Sequence, residues 1–263
     1  MWVCRWCIGQ VFAVNPVCKK YLANGKDVFW RLWIWRRPII IIIITGKVGK
    51  DVLLIHILLL NQLLFADDTA LVADSEDKLC RLVSEFGRVC ERMLRVNVGK
   101  SKVMRCSRYD NGDRMHVILN CEPLKEVDCF NYLGSQVAAD GGCERDVVHR
   151  MNEGYRAWGA LKSVLSNRGV GMKAKKCLYE GAIVPTALYG AEAWGMRSAE
   201  RMKVNILEMK CLRSLVGVSR MDRFRNEEVR RRAGIERELA SRADQRVLRW
   251  FEHVERMDDY RME

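Results

Sequence analysis

The residues of this chain best suited to chemistry are two adjacent aspartates, Asp67 and Asp68. They sit between apolar runs in Gln62-Leu63-Leu64-Phe65-Ala66-Asp67-Asp68-Thr69-Ala70-Leu71-Val72-Ala73-Asp74. That pattern reads as two short strands joined by a tight turn. Aspartate favours such turns because its carboxylate bonds nearby backbone amides. Two carboxylates at a hairpin tip are hard oxygen donors of the kind Mg²⁺ takes. The same pair also suits an ordinary surface turn with solvated charges, and the turn alone leaves both readings open.

Further along, Lys100 lies in Arg95-Val96-Asn97-Val98-Gly99-Lys100-Ser101-Lys102-Val103-Met104, and Tyr132-Leu133-Gly134 follows Phe130-Asn131. Phe65-Ala66-Asp67-Asp68 resembles the catalytic hairpin of reverse transcriptases, in the form used by non-LTR (LINE-like) retrotransposons and group II introns. The Lys100 segment resembles the next palm motif of that family, and Tyr132-Leu133-Gly134 resembles its primer grip. Tyr189-Gly190-Ala191-Glu192-Ala193-Trp194 resembles a box that follows the palm in these retroelements. The motifs occur in family order, from Gln62 to the C-terminus, with a further fragment at Gly9 to Trp30. The resemblance implies RNA-directed DNA polymerisation, with Mg²⁺ held by Asp67 and Asp68 and with an RNA template and a DNA primer as partners. It implies Lys100 near the triphosphate, as a proton donor to pyrophosphate, and Tyr132, Leu133 and Gly134 near the primer.

One part of that machinery is missing. Two-metal nucleotidyl transfer needs carboxylates from separate strands, and neighbours such as Asp67 and Asp68 point to opposite sides of a strand. The family's first aspartate strand is expected after Asp27-Val28-Phe29-Trp30, and ungapped counting puts that aspartate at Ile34. No acid occurs between Asp27 and Asp51. No match to the family's nucleotide-pocket motif is found before Asp67. The expectation is therefore a retroelement-derived chain without polymerase activity. The other readings are a nucleic-acid-binding remnant that grips an RNA/DNA duplex through basic helices, and a fragment with no function.

The elements that must position these residues suggest an α+β protein. A partial antiparallel palm sheet with a flanking helix is expected over residues 51–138, followed by an all-helical, thumb-like half over 139–263. Leu79, Leu82, Val83, Phe86, Cys90, Met93 and Leu94 recur at helical spacing behind Glu76 and Asp77. Helical patterns follow at 144–167, 173–194 with a break at Pro185, 199–216 and 226–257. Residues 1–50 are expected to stand apart as a degraded remnant. The six isoleucines Ile39 to Ile44 read there as a translated simple repeat more readily than as a buried strand, because pure Ile specifies no register.

The chain has 263 residues and a formal net charge of +12, which favours a polyanionic partner. Between Gly154 and Tyr179 stand Arg156, Lys162, Arg168, Lys173, Lys175 and Lys176 with no acid among them, a candidate phosphate-contacting patch. The 11 cysteines are dispersed and form no second C-x-x-C beyond Cys4 and Cys7, which suggests reduced thiols in an intracellular protein. No signal peptide or membrane-spanning segment is expected. The apolar run from Val52 to Leu60 is far short of the ~20 residues that a membrane helix needs.

Overall fold

A computed structural model describes residues 39–47, 62–65, 68–73, 75–93, 95–106 and 115–256. The chain mixes helices with small sheets and divides into two compact units, Met1–Gly142 and Cys143–Glu263.

The first unit is built on a sheet of β1 (Ile39–Lys47), β2 (Gln62–Phe65), β3 (Asp68–Ala73), β4 (Arg95–Val96), β5 (Lys102–Cys106) and β8 (Lys125–Glu126). The strand order is β2-β3-β1-β5-β8, and β4 pairs with the end of β1. β3 runs antiparallel to both β1 and β2, so β1 and β2 are parallel with β3 between them. Helix α1 (Glu76–Met93) packs on β3, with Leu79, Val83 and Phe86 buried at i, i+4 and i+7.

The six isoleucines lie in β1, the strand flanked by β3 and β5, and not in a repeat without structure, the reading that their sequence favoured. The physical reason lies in its neighbours. Leu71, Ala73 and Val103 face an apolar cluster with α1, while Ala70, Met104 and Cys106 face a second cluster with Phe130, Tyr132 and Val137. A sheet covered on both faces accepts a strand that is apolar at every position. The register that pure Ile cannot specify comes from outside the run, where Thr45 pairs with Asp68 and Gly46 with Val96.

Two short hairpins complete this unit. β6 (Ile118–Leu119) and β7 (Glu122–Pro123) are joined by Asn120-Cys121, and β9 (Cys129–Tyr132) and β10 (Ser135–Ala138) by Leu133-Gly134. All four turn residues have positive φ, which matches the right-handed twist of the flanking strands.

The second unit is all helical among the described residues. Its elements are α2 (Glu144–Leu165), α3 (Met172–Leu178), a π turn (Tyr179–Ile183), α4 (Val184–Ala187), a 3₁₀ turn (Ala191–Ala193), α5 (Ser198–Val216), α6 (Asn226–Ala233) and α7 (Leu239–Glu255). Pro185 falls in the first turn of α4 directly after the π turn, where its missing N–H interrupts the helical ladder. The single helix expected over 226–257 is instead two. Gly234 adopts φ +66° and ends α6, and Arg230 and Arg231 accept backbone bonds from Ile235 and Gly234.

Helix α5 is central, packing against α2, α3, α6 and α7. Its contacts with α2 ascend together along both chains: Glu144 with Lys203, Gly154 beside Leu207, Trp158 with Lys210 and Ser214. The two helices therefore run parallel. A Cβ on Gly154 would lie 2.6 Å from Leu207 Cδ2 and 3.2 Å from Ala187 Cβ, so glycine sets how closely they approach. Gly154→Ala is expected to destabilise this unit by about 1–3 kcal/mol through overpacking, read as a lower urea midpoint at unchanged slope.

Candidate nucleic-acid interface

Each unit holds part of the expected site. In the first, Asp68 opens β3 opposite Phe65 of β2 and Thr45 of β1. Asp67 and Asp51 lie outside the described residues. Beyond Thr45, β1 offers Gly46 and Lys47, and the strand contains no acid. Backbone register thus places a hydroxyl residue, not a carboxylate, across from Asp68. Among the described residues no group of three or more His, Cys, Asp or Glu could hold a metal ion. A pair of Mg²⁺ ions needs facing acids, and β1 supplies none across from Asp68.

Lys100 is exposed at the end of the turn Val98–Lys100 before β5. Its backbone N–H donates to the side-chain Oδ1 of Asn97 at 3.1 Å, and Ser101 Oγ donates to the Asn97 carbonyl at 2.9 Å. Asn97 therefore shapes the loop that presents Lys100. Leu133 and Gly134 form the β9–β10 turn at φ +49° and +85°. Tyr132 is 1% exposed, so its ring belongs to the apolar core of this unit, while Gly134 is exposed at the tip.

In the second unit the six expected cations have separate fates. Lys175 is buried, with its ammonium donating to the Leu215 carbonyl at the C-terminal end of α5. Lys176 donates to the Gly234 carbonyl at the end of α6. Both cap the negative ends of helix dipoles, and this corrects the reading of Lys175 as a surface cation. Arg156 is exposed and pairs with Glu153 one turn back. Lys162, Arg168 and Lys173 are exposed and meet no carboxylate among the described residues.

A residue that sequence reasoning missed joins those three. Lys210 of α5 is exposed and lies over two rings of α2, 4.8 Å from the Tyr155 centroid and 4.6 Å from that of Trp158. Lys162 approaches the Trp158 ring at 5.5 Å. The indole N–H of Trp158 donates to Ser214 Oγ at 3.2 Å, which fixes the ring. Tyr155 and Trp158 stand three residues apart in the acid-free stretch, a visible sign of one helix face. Nothing in the sequence of α5 announces that Lys210 reaches them.

Several acids in this unit are committed elsewhere. Glu208 is fully buried on α5, accepts from Arg230 Nη2 at 2.9 Å, and accepts from the backbone N–H of Leu239 at the start of α7. Burial pushes its carboxyl above the usual carboxylate range, against the downward pull of Arg230. Glu200 accepts from the backbone N–H of Arg197 at the start of α5. Glu180 pairs with both terminal nitrogens of Arg242, and Glu228 with Arg231 and Arg232. Position 208 falls in line with Val204, Cys211, Leu212 and Leu215, a spacing that marks it as core-facing.

The Tyr189–Trp194 box is an internal brace. The Trp194 indole donates to buried Asp146 at 2.7 Å, Arg150 stacks on Tyr189 at 4.3 Å, and Glu192 lies 3.7 Å from Arg246. No helix among the described residues is long and apolar enough to cross a membrane.

No protein-family model matches the chain. It is similar to a Caenorhabditis elegans protein, F52C9.6, described as an uncharacterized transposon-derived protein. The two are 27% identical over 209 residues, which is 77% of this chain and 74% of the relative. That similarity points to a transposon origin.

Removing the buried Glu208 carboxylate leaves Arg230 without one of its two acids and the first turn of α7 without its acceptor. Glu208→Ala is expected to cost about 3–5 kcal/mol, the usual consequence of breaking a buried ion pair from one side. Equilibrium urea unfolding checks it.

Proposed function

We propose that this chain is a retroelement-derived protein of reverse-transcriptase ancestry that has lost copying chemistry and keeps nucleic-acid binding in its helical unit. The ancestry rests on the F-A-D-D, Lys100 and Tyr132-Leu133-Gly134 segments in family order, and the transposon-derived relative supports it. The order of the sheet, with the F-A-D-D hairpin at its edge beside β1, suits a polymerase palm. The loss of chemistry rests on the register of β1, which sets Thr45 across from Asp68. Without a facing acid, the hairpin carboxylates lack the partner that two metal ions require.

Binding rests on one observation above the others: Lys162, Arg168, Lys173 and Lys210 are exposed cations with no carboxylate among the described residues. A polyanion is the partner that such charges suit, and each phosphate neutralised steepens the fall of affinity with salt. The ammoniums of Lys175 and Lys176 serve the fold, so the interface is narrower than the basic stretch of sequence.

A paired assay on the full chain tests both halves. Primer extension on an RNA template with Mg²⁺ or Mn²⁺ is expected to give no product above background. An RNA/DNA hybrid is expected to bind with strongly salt-dependent affinity, and Lys173→Glu is expected to weaken it and flatten the salt slope by about one phosphate's worth. Templated synthesis abolished by Asp67→Ala would contradict the loss of chemistry. Hybrid binding indifferent to salt and to Lys173→Glu would contradict the interface.

A further inference from the structure

The seam between α2 and α5 carries more than charge. Tyr155 and Trp158 are half-buried, packed on the helical core from one side and partly open on the other. The Ser214 bond holds the Trp158 indole in plane. Gly159 follows Trp158 on the exposed side of α2, and a Cβ placed there would have no heavy atom within 4 Å. The exposed side of α2 next to Trp158 is therefore uncovered at Gly159. Two flexible ammoniums, Lys162 and Lys210, border the rings and have no acid to hold them.

Several other cations of this unit close on carboxylates. Arg201 forms a two-bond pair with Asp244, Lys203 meets Glu144, and Arg242 meets Glu180. At the α2–α5 seam the nearest acid along α2 is Glu153, which Arg156 occupies. The two acids of α5, Glu200 and Glu208, are both buried and committed. The seam thus joins ring faces to exposed cations that meet no carboxylate among the described residues.

We infer that this seam is a stacking platform for an unpaired stretch of nucleic acid. Bases lie on Trp158 and Tyr155, and Lys162 and Lys210 turn outward to the flanking phosphates. This rests on the nucleic-acid reading above and narrows it to a strand class. The exchange is favourable in size. An exposed cation–π contact contributes about two- to fivefold in affinity. A base on an aromatic ring contributes about five- to a hundredfold, and the displaced ammoniums keep their charge for phosphate. A duplex cannot use the rings in this way, because its bases are already stacked on one another. An unpaired strand can.

The experiment measures binding of the full chain to a labelled pyrimidine 12-mer and to a blunt RNA/DNA hybrid of equal length. It compares the wild type with Trp158→Leu, Trp158→Phe, Tyr155→Leu and Lys173→Glu. The expected result is a loss of fivefold or more for the single strand in Trp158→Leu and Tyr155→Leu, with the hybrid changed less than twofold. Trp158→Phe, which keeps a ring, restores most of the single-strand affinity. Lys173→Glu weakens both ligands. Trp158→Leu that binds the single strand like the wild type overturns the platform while Lys173→Glu still reports on the general interface. Equal loss of both ligands in Trp158→Leu and in Trp158→Phe also overturns it, because the ring is then needed only for the fold. Failure of the wild type to bind either ligand overturns the nucleic-acid reading itself, and the platform with it.

Discussion

The close approach of α2 and α5 at Gly154 is the constraint on which the helical unit depends. Leu207 and Ala187 fill the space that a side chain on residue 154 would take. Because the helices run parallel, the same contact fixes what meets one turn further on, where Lys210 settles over Tyr155 and Trp158 and Ser214 takes the indole N–H. A wider crossing would separate the ammonium from both rings, since cation–π attraction fades beyond about 6 Å. The packing of a single glycine thus decides whether the seam presents an organised set of rings and cations.

The distribution of acid is the second constraint on this unit. The formal charge of +12 says only that base exceeds acid. The structure says where the excess is left. Glu208 ties α5 to Arg230 of α6 and to the first turn of α7, and Glu180 holds Arg242 of α7 against the π turn. Asp146 holds the Trp194 indole. Each of these carboxylates is engaged in joining helices, and the two acids of α5 are both among the buried, engaged ones.

Much of this was legible in the sequence, and the exceptions have physical causes. The helices from 76, 144 and 198 followed from their apolar spacing, and the break at Pro185 from its missing N–H. The poly-Ile strand was misread because its register is set by Thr45, Gly46 and partners on other strands, which no local pattern records. The split between α6 and α7 turned on Gly234 adopting a left-handed conformation inside a continuous helical pattern. Lys175 looked like a surface cation because burial of a lysine depends on a carbonyl forty residues away, at Leu215. Lys210 was missed for the converse reason: its role depends on rings carried by another helix. Asp68 was read as half of a carboxylate pair, and its neighbours across the sheet, Phe65 and Thr45, are visible only from strand pairing.

The central claim is that the unneutralised cations of the helical unit, and not its basic residues in general, meet nucleic acid. Lysine acylation of the full chain with and without a bound oligonucleotide, followed residue by residue by mass spectrometry, tests it most directly. The account predicts that Lys162, Lys173 and Lys210 label readily in the free protein and are protected on binding. Lys175, buried against the Leu215 carbonyl, should label poorly in both states. Unchanged labelling at Lys162 and Lys210, with protection confined to other lysines, would contradict it.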